Sequence, residues 1–262
     1  PFAVISDKAN NRKYPIADYS LTPTVAIVDP ALVLTVPGFV AADTGMDVLT
    51  HATEAYVSQM ASDYTDGLAL QAIKLVFENL ESSVKNADFH SREKMHNAST
   101  IAGMAFANAF LGISHSMAHK IGAQFHTVHG RTNAILLPYV IRYNGTRPAK
   151  TATWPKYNYY RADEKYQDIA RMLGLPASTP EEGVASYAKA VYELGERVGI
   201  EMNFKAQGVD EKEWKEHSRE LAFLAYEDQC SPANPRLPMV DHMQEIIEDA
   251  YYGYKERPGR LK

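Results

Sequence analysis

The spacing of apolar and polar residues changes near residue 35 of this chain. Before it, the runs FAVIS and TVAIVD are short and rich in β-branched residues, and Pro15, Pro23 and Pro30 separate them, as in edge strands and turns. From Asp43 onward, apolar residues recur at intervals of three and four, which is typical of one buried helix face. The pattern predicts extended structure at the start of the chain and helices over almost all of the rest.

The helical part is predicted to contain a series of separate helices. They are expected near 43–60, 64–85, 92–111, 115–126, 130–143, 163–173, 179–198, 210–225 and 237–253. Thr179 offers an N-cap to the helix at 179–198, followed by Pro180 and by acidic residues near the positive helix end. The stretch 144–162 has little periodicity and is predicted to be a connecting loop. The fold class is therefore mostly α.

The composition excludes several classes of protein. The 262 residues are 45% hydrophobic, which is enough for a substantial core in one large domain or two modest ones. The net charge of −5 is spread along the chain without a basic block, so nucleic acid is not an expected partner. No apolar run approaches the roughly 20 residues that span a bilayer, and the start lacks a signal-peptide pattern. With a single cysteine, Cys230, no intrachain disulfide can form. We expect a soluble cytoplasmic protein.

Histidines are concentrated in one short segment, SHSMAHKIGAQFHTVHG. It contains four of the nine in the chain: His115, His119, His126 and His129. On a helix, His115 and His119 are four residues apart and share a face. Upstream, Asp47 and His51 have the same spacing in GMDVLTHATEAY.

Together the two segments could form a metal site with one carboxylate and three imidazoles. Such a mixed donor set suits a divalent transition metal rather than calcium or magnesium. The alternative is structural, because a histidine on an apolar helix face is usually a hydrogen-bonded core residue and Asp47 with His51 could be an ordinary pair. Spacing alone leaves both interpretations open.

Long, ordered segments carry a family resemblance along the whole chain. They are KYPIADYSLTPTVAIVDP, GMDVLTHATEAYVS, AGMAFANAFLGISHSMAHKIGAQFHTVHGRTNAILLPYVIRYN and DQCSPANPR. These segments closely resemble the iron-containing alcohol dehydrogenase family, particularly the alcohol dehydrogenase half of bifunctional aldehyde–alcohol dehydrogenases. The resemblance implies four metal ligands: Asp47 and His51 of the DxxxH motif, His115 as the first histidine of HxMAH, and His129 before the glycine of HG.

The same resemblance implies roles for three other residues. His119 would lie beside cofactor and substrate as a candidate for the proton path, or would only support the ligands. Phe106 would line the alcohol pocket, although its spacing also suits core packing. Lys13 would contact the cofactor near the nicotinamide ribose, and is otherwise an ordinary exposed lysine.

The family fold, which is dehydroquinate synthase-like, places an N-terminal dinucleotide-binding α/β domain before a helical metal-binding domain. By resemblance, residues 1–35 would be a β remnant of the first domain and 36–262 the helical catalytic domain. The sequence contains no Gly-rich phosphate-binding turn. We therefore expect a nucleotide-binding domain, and possibly an aldehyde dehydrogenase domain, upstream in the same polypeptide.

The function implied is interconversion of a short-chain primary alcohol and its aldehyde, such as ethanol and acetaldehyde, with NAD(H). Fe²⁺ is the family's metal, and the ligand set would also accept Zn²⁺. A homo-oligomer is expected. Two alternatives are a related metal-dependent polyol dehydrogenase and a non-catalytic helical assembly module whose metal is structural.

Overall fold

The computed structural model describes residues 2–7, 12–148 and 160–253, and this part of the chain is mostly helical. The mostly-α prediction is confirmed. The helices are α1 (Gly38–Val57), α2 (Asp63–Lys85), α3 (Phe89–Ala109), α4 (Ile113–Phe125), α5 (His129–Gly145), α6 (Ala162–Met172), α7 (Pro180–Arg197), α8 (Glu211–Tyr226) and α9 (Val240–Tyr252). Each matches one predicted helix. The largest difference is at α1, which begins five residues early: none of its first three residues is buried, and Phe39 is 67% exposed, so they add no clear apolar stripe to the helix.

The N-terminal strands differ from the prediction. Strand β1 (Phe2–Asp7) pairs antiparallel with β2 (Arg12–Ala17), so the extended structure predicted for FAVIS is confirmed. TVAIVD is not a strand: residues 24–29 join no sheet in the described part of the chain. Val25 and Ile27 are 75% and 86% exposed, so no buried face holds that segment in a ladder. Pro15 instead lies inside β2, where an edge strand can tolerate the missing donor.

Two hydrophobic clusters form the core, and α5 belongs to both. The first cluster joins α1, α2, α3, α6 and α7, and the second joins α4, α8 and α9. Ala134, Leu137 and Ile141 of α5 pack in the first, whereas Ile135, Leu136 and Val140 pack in the second. The apolar run ILLPYVI is therefore buried on all sides, and α5 positions α1 and α4 relative to one another.

Gly130 allows the start of α5 to lie directly against α1. A Cβ atom here would overlap the carbonyl oxygen of Asp43 and would lie 3.1 Å from the Cβ atom of Asp47. Beside it, Arg131 donates from Nε to Oδ1 of Asp43 at 2.9 Å. The close approach brings His129, the first residue of α5, next to Asp47.

No single helix in the described ranges has both the length and the hydropathy of a membrane span. Helices α3 and α4 pass that test only as a pair, and the pair is bent by 107°.

Candidate metal centre

Three histidines from different parts of the chain surround the Asp47 carboxylate. Nε2 of His51, one turn along α1, lies 3.9 Å from Oδ2 of Asp47. Nε2 of His115 on α4 and Nε2 of His129 on α5 lie 3.6 Å and 3.8 Å from Oδ1. The structure thus brings together the four residues that the sequence analysis proposed as ligands, and all three imidazoles present Nε2 to one carboxylate.

The centre of this group is buried around His115. Its ring stacks on His51 at a centroid distance of 4.6 Å and lies 5.4 Å from the ring of His129. Nε2 of His115 is buried and has no hydrogen-bond partner in the structure. Because buried polar atoms nearly always have a partner, this orphaned nitrogen beside Asp47 and His51 fits a site whose missing partner is a metal ion. One carboxylate with imidazole nitrogens suits a divalent transition metal.

Glu54 connects the two helices that supply most of the site. It is 3% exposed, and its Oε2 atom lies 2.6 Å from Nδ1 of His115. Its two oxygens also accept the backbone N–H groups of Gly112 at 3.0 Å and Ser114 at 2.7 Å, which satisfies donors at the start of α4. A Cβ atom at Gly112 would lie 2.9 Å from Oε1 of Glu54, so glycine leaves room for the carboxylate. Glu54 therefore orients His115 and caps its helix at once.

Asn133 lies between two members of the cluster. Its Nδ2 atom donates to Oδ1 of Asp47 at 2.9 Å and lies 3.2 Å from Nε2 of His129. Its Oδ1 atom accepts from Oγ of Ser114 at 3.2 Å. The amide therefore restrains the carboxylate and links α5 to α4.

The electrostatics of the group follow from burial and from the two carboxylates. Burial lowers the pKa of His51 to about 4, against the attraction of Asp47. Burial also lowers the pKa of His115, but the carboxylates of Asp47 and Glu54 outweigh this effect and raise that pKa to about 9. Burial would raise the pKa of Asp47, but the facing imidazoles hold it well below its usual range. A metal ion and a proton would therefore compete for His115.

His119 lies beside the cluster on the next turn of α4. Its ring stacks on His129 at 5.5 Å, and its side chain is 21% exposed. Nδ1 lies 3.2 Å from Oδ2 of Asp228, which also accepts from Nζ of Lys120 at 2.8 Å. His119 thus contacts the group from outside and is hydrogen-bonded away from it.

Two further candidates have different outcomes. The Phe106 ring is half-buried, stacks on His51 at 4.7 Å and packs against the first core cluster. Its expected core packing is therefore present, and the contact with His51 puts it beside the candidate metal centre, whereas its role in an alcohol pocket stays a prediction. Lys13 lies in β2, but its side chain is outside the described residues. His126, the remaining histidine of the cluster motif, ends α4 in the left-handed region with φ 54°.

Sequence reasoning missed Glu54, Asn133 and Asp228. For two of them a signal existed: Glu54 lies seven residues after Asp47 on the same helix face, and Asn133 lies four residues after His129. Asp228 is more than a hundred residues from His119 and carries no local signal. Cys230, the single cysteine of the chain, is buried at 5% exposure.

Comparison with known proteins identifies the family. The model of the C-terminal part of the Fe-containing alcohol dehydrogenase family matches residues 41–251. The chain belongs to this family. A solved structure, that of a 1,3-propanediol oxidoreductase, shares the fold: it superposes with a TM-score of 0.84 at 34% identity, over 95% of this chain and 62% of that one.

Two aldehyde-alcohol dehydrogenases illustrate how the chain relates to longer proteins of the family. It is 97% identical, over its whole length, to 30% of the aldehyde-alcohol dehydrogenase of Streptococcus pneumoniae serotype 2. It is 45% identical to the bifunctional aldehyde-alcohol dehydrogenase of Escherichia coli K12, over 97% of the chain and 29% of that protein. The chain therefore spans less than a third of the length of these relatives.

Proposed function

We propose that this chain carries the metal centre of an NAD(H)-linked alcohol dehydrogenase, with Asp47, His51, His115 and His129 as the ligands. The observation that carries the proposal is the convergence of three Nε2 atoms on the Asp47 carboxylate, one of them buried without a partner. Fe²⁺ is the metal that the family name supports, and Zn²⁺ would fit the same donors.

The proposed reaction interconverts a short-chain primary alcohol, such as ethanol, and its aldehyde. When bound, the divalent ion supplies Lewis acidity, which favours negative charge on the substrate oxygen. His119 stands next to the cluster and is the proposed acceptor of the alcohol proton. Phe106, stacked on His51, offers an apolar wall for the alkyl chain. The hydride would pass to the nicotinamide ring, a step for which the cofactor provides the chemistry.

The remaining features of the proposed enzyme are inferred from its similarity to the longer relatives. Lys13 is proposed to contact the cofactor, with most of the nucleotide site in an upstream domain of a polypeptide as long as the aldehyde-alcohol dehydrogenases. An aldehyde dehydrogenase domain further upstream and assembly into a homo-oligomer complete the proposal. An apolar wall at Phe106 favours a monoalcohol over a polyol, because the second hydroxyl of a diol has no polar partner on that ring.

The test is made on a polypeptide of the pneumococcal relative's length. After metal analysis, the rate of NAD⁺ reduction is measured with ethanol, 1,3-propanediol and a buffer control, before and after chelation. We expect turnover with ethanol that is lost on chelation and returns with Fe²⁺. Preference for the diol would support the polyol alternative. A full complement of metal without turnover of either alcohol would support the structural-metal alternative.

A further inference from the structure

Asp228 is a buried carboxylate that holds two neighbouring side chains of α4. Its side chain is 4% exposed, and Oδ2 accepts from Nδ1 of His119 at 3.2 Å and from Nζ of Lys120 at 2.8 Å. Oδ1 accepts the backbone N–H of Cys230 at 3.1 Å. Each oxygen therefore has at least one donor, and the Lys120 ammonium supplies the balancing charge that a buried carboxylate needs.

The turn that carries Asp228 is anchored to the same helix. After α8, the Asp228 carbonyl accepts the N–H of Ser231 at 3.0 Å. Oγ of Ser231 contacts Oγ of Ser116 on α4 at 3.0 Å and donates to the Ala225 carbonyl at 2.7 Å. Both contacts of the Ser231 hydroxyl are buried. The turn that carries the Asp228 carboxylate is thus hydrogen-bonded to α4 independently of His119.

The contact restricts the His119 imidazole. An ionised carboxylate only accepts hydrogen bonds, so the proton of a neutral His119 lies on Nδ1 when this nitrogen faces Asp228. Nε2 is then the nitrogen with a free lone pair. Burial would raise the pKa of Asp228, but His119 and Lys120 hold it well below its usual range, which keeps the carboxylate ionised.

We propose that Asp228 is a positioning residue of the dehydrogenase, which fixes His119 in the Nδ1–H tautomer so that Nε2 can accept the substrate proton. The inference rests on the proposed alcohol oxidation with His119 as acceptor. In that step the alcohol O–H bond breaks and an N–H bond forms at Nε2, while the electron pair left on oxygen forms the C=O bond of the aldehyde and the C–H hydrogen leaves with its electron pair as hydride to NAD⁺. The Asp228 carboxylate stabilises the resulting imidazolium and receives no proton itself.

A metal site at the same place is a weaker interpretation. Ligand atoms of His119, Asp228 and Cys230 lie within 4.8 Å of one another. However, the Lys120 ammonium already lies 2.8 Å from the Asp228 oxygen that faces His119, and a metal ion would have to displace it against like-charge repulsion.

The experiment uses Asp228→Asn, His119→Ala and the double variant in the full-length enzyme. Asparagine keeps the shape but can donate to Nδ1 and favour the wrong tautomer. We expect kcat for ethanol to fall by about tenfold to a hundredfold in Asp228→Asn, with KM and metal content unchanged. The double variant should be no slower than His119→Ala, because Asp228 acts through that imidazole. Asp163→Asn is the matched control, since Asp163 and Asp228 are each 7% exposed as whole residues and Asp163 is likewise bound to a basic side chain, that of Arg147.

A second variant covers the case in which Asp228→Asn does not fold. Asp228→Glu retains the charge and moves the carboxylate by one methylene, so it should keep its metal and turn over between the wild-type and His119→Ala rates. The inference about Asp228 would be overturned if Asp228→Asn turned over as fast as Asp163→Asn, or if the two reductions in kcat multiplied in the double variant. Neither result would affect the proposed role of His119. Normal turnover in His119→Ala would overturn both the inference and the proposed role of His119.

Discussion

The Nδ1 atom of His115 lies 2.6 Å from the Oε2 atom of Glu54, and both side chains are almost completely buried. The contact joins α4 to α1, the helix that also carries Asp47 and His51. A histidine whose Nδ1–H is held by a carboxylate presents Nε2 as a lone-pair donor, which is the arrangement commonly found behind metal-bound imidazoles. The relationship therefore couples the packing of two helices to the chemistry of one ring nitrogen.

Replacing Glu54 with glutamine should weaken metal binding without removing a ligand. The amide can donate to Nδ1 and move the His115 proton to Nε2, so we expect affinity to fall by about 10- to 100-fold. Titration of the metal-free protein with Fe²⁺ or Zn²⁺ measures this. Glu78→Gln, at an exposed position on α2, serves as the control. Equal affinities of the two variants would show that Glu54 only caps α4.

Substitution of His51 and of His119 should have separable effects in the complete enzyme. His51→Ala removes a proposed ligand, so metal content and turnover should fall together, and excess metal should restore part of both. His119→Ala leaves the proposed ligands in place, so metal content should stay near that of the wild type while turnover falls by about a hundredfold. Metal stoichiometry and kcat are measured on the same preparations. A metal-free His119→Ala enzyme would instead make His119 a ligand.

Gly130→Ala should separate α5 from α1 at the site. The added methyl group overlaps the Asp43 carbonyl, so we expect a loss of about 1–3 kcal/mol in unfolding free energy, together with weaker metal binding. Gly67→Ala is a control with the opposite expected sign. This position on α2 is exposed with no atom near its Cβ, and alanine should stabilise the helix by about 0.5–1 kcal/mol. Denaturant unfolding measures the unfolding free energy of both variants. A Gly130→Ala variant as stable as the wild type would contradict the close packing of α5 against α1.

Asp88 should make the stability of α3 depend on pH. It caps the helix through Ser91, and its hydrogen bonds to Ser91 and Ser82 lower its pKa from 3.8 to about 2. A carboxyl group with a lowered folded-state pKa stabilises the fold above its unfolded value, and the contribution is lost as the pH falls from about 4 to 2. The difference in unfolding midpoint between the wild type and Asp88→Asn should therefore shrink over that range. A constant difference would mean that the carboxylate charge contributes nothing.

The sequence alone was sufficient for the helices and for the faces they present. Every α-helix of the described chain was predicted, because apolar spacing is a local property and signals such as the N-cap Thr179 and the first-turn Pro180 lie within a few residues of each other. The pairing of Asp47 with His51 on one face follows in the same way from helix geometry. Local pattern failed at TVAIVD, since a β-branched run becomes a strand only if a partner and a buried face exist.

Only the tertiary structure decided that these faces meet. The distance between Asp47 and His115 depends on α5 being buried in both core clusters and on the absence of a side chain at Gly130, and neither condition can be derived from the spacing of histidines. The contacts of Glu54 with His115 and of Asp228 with His119 likewise join residues 61 and 109 positions apart. Helix periodicity determines which side chains share a face over a few residues, whereas packing of the whole core determines which faces converge.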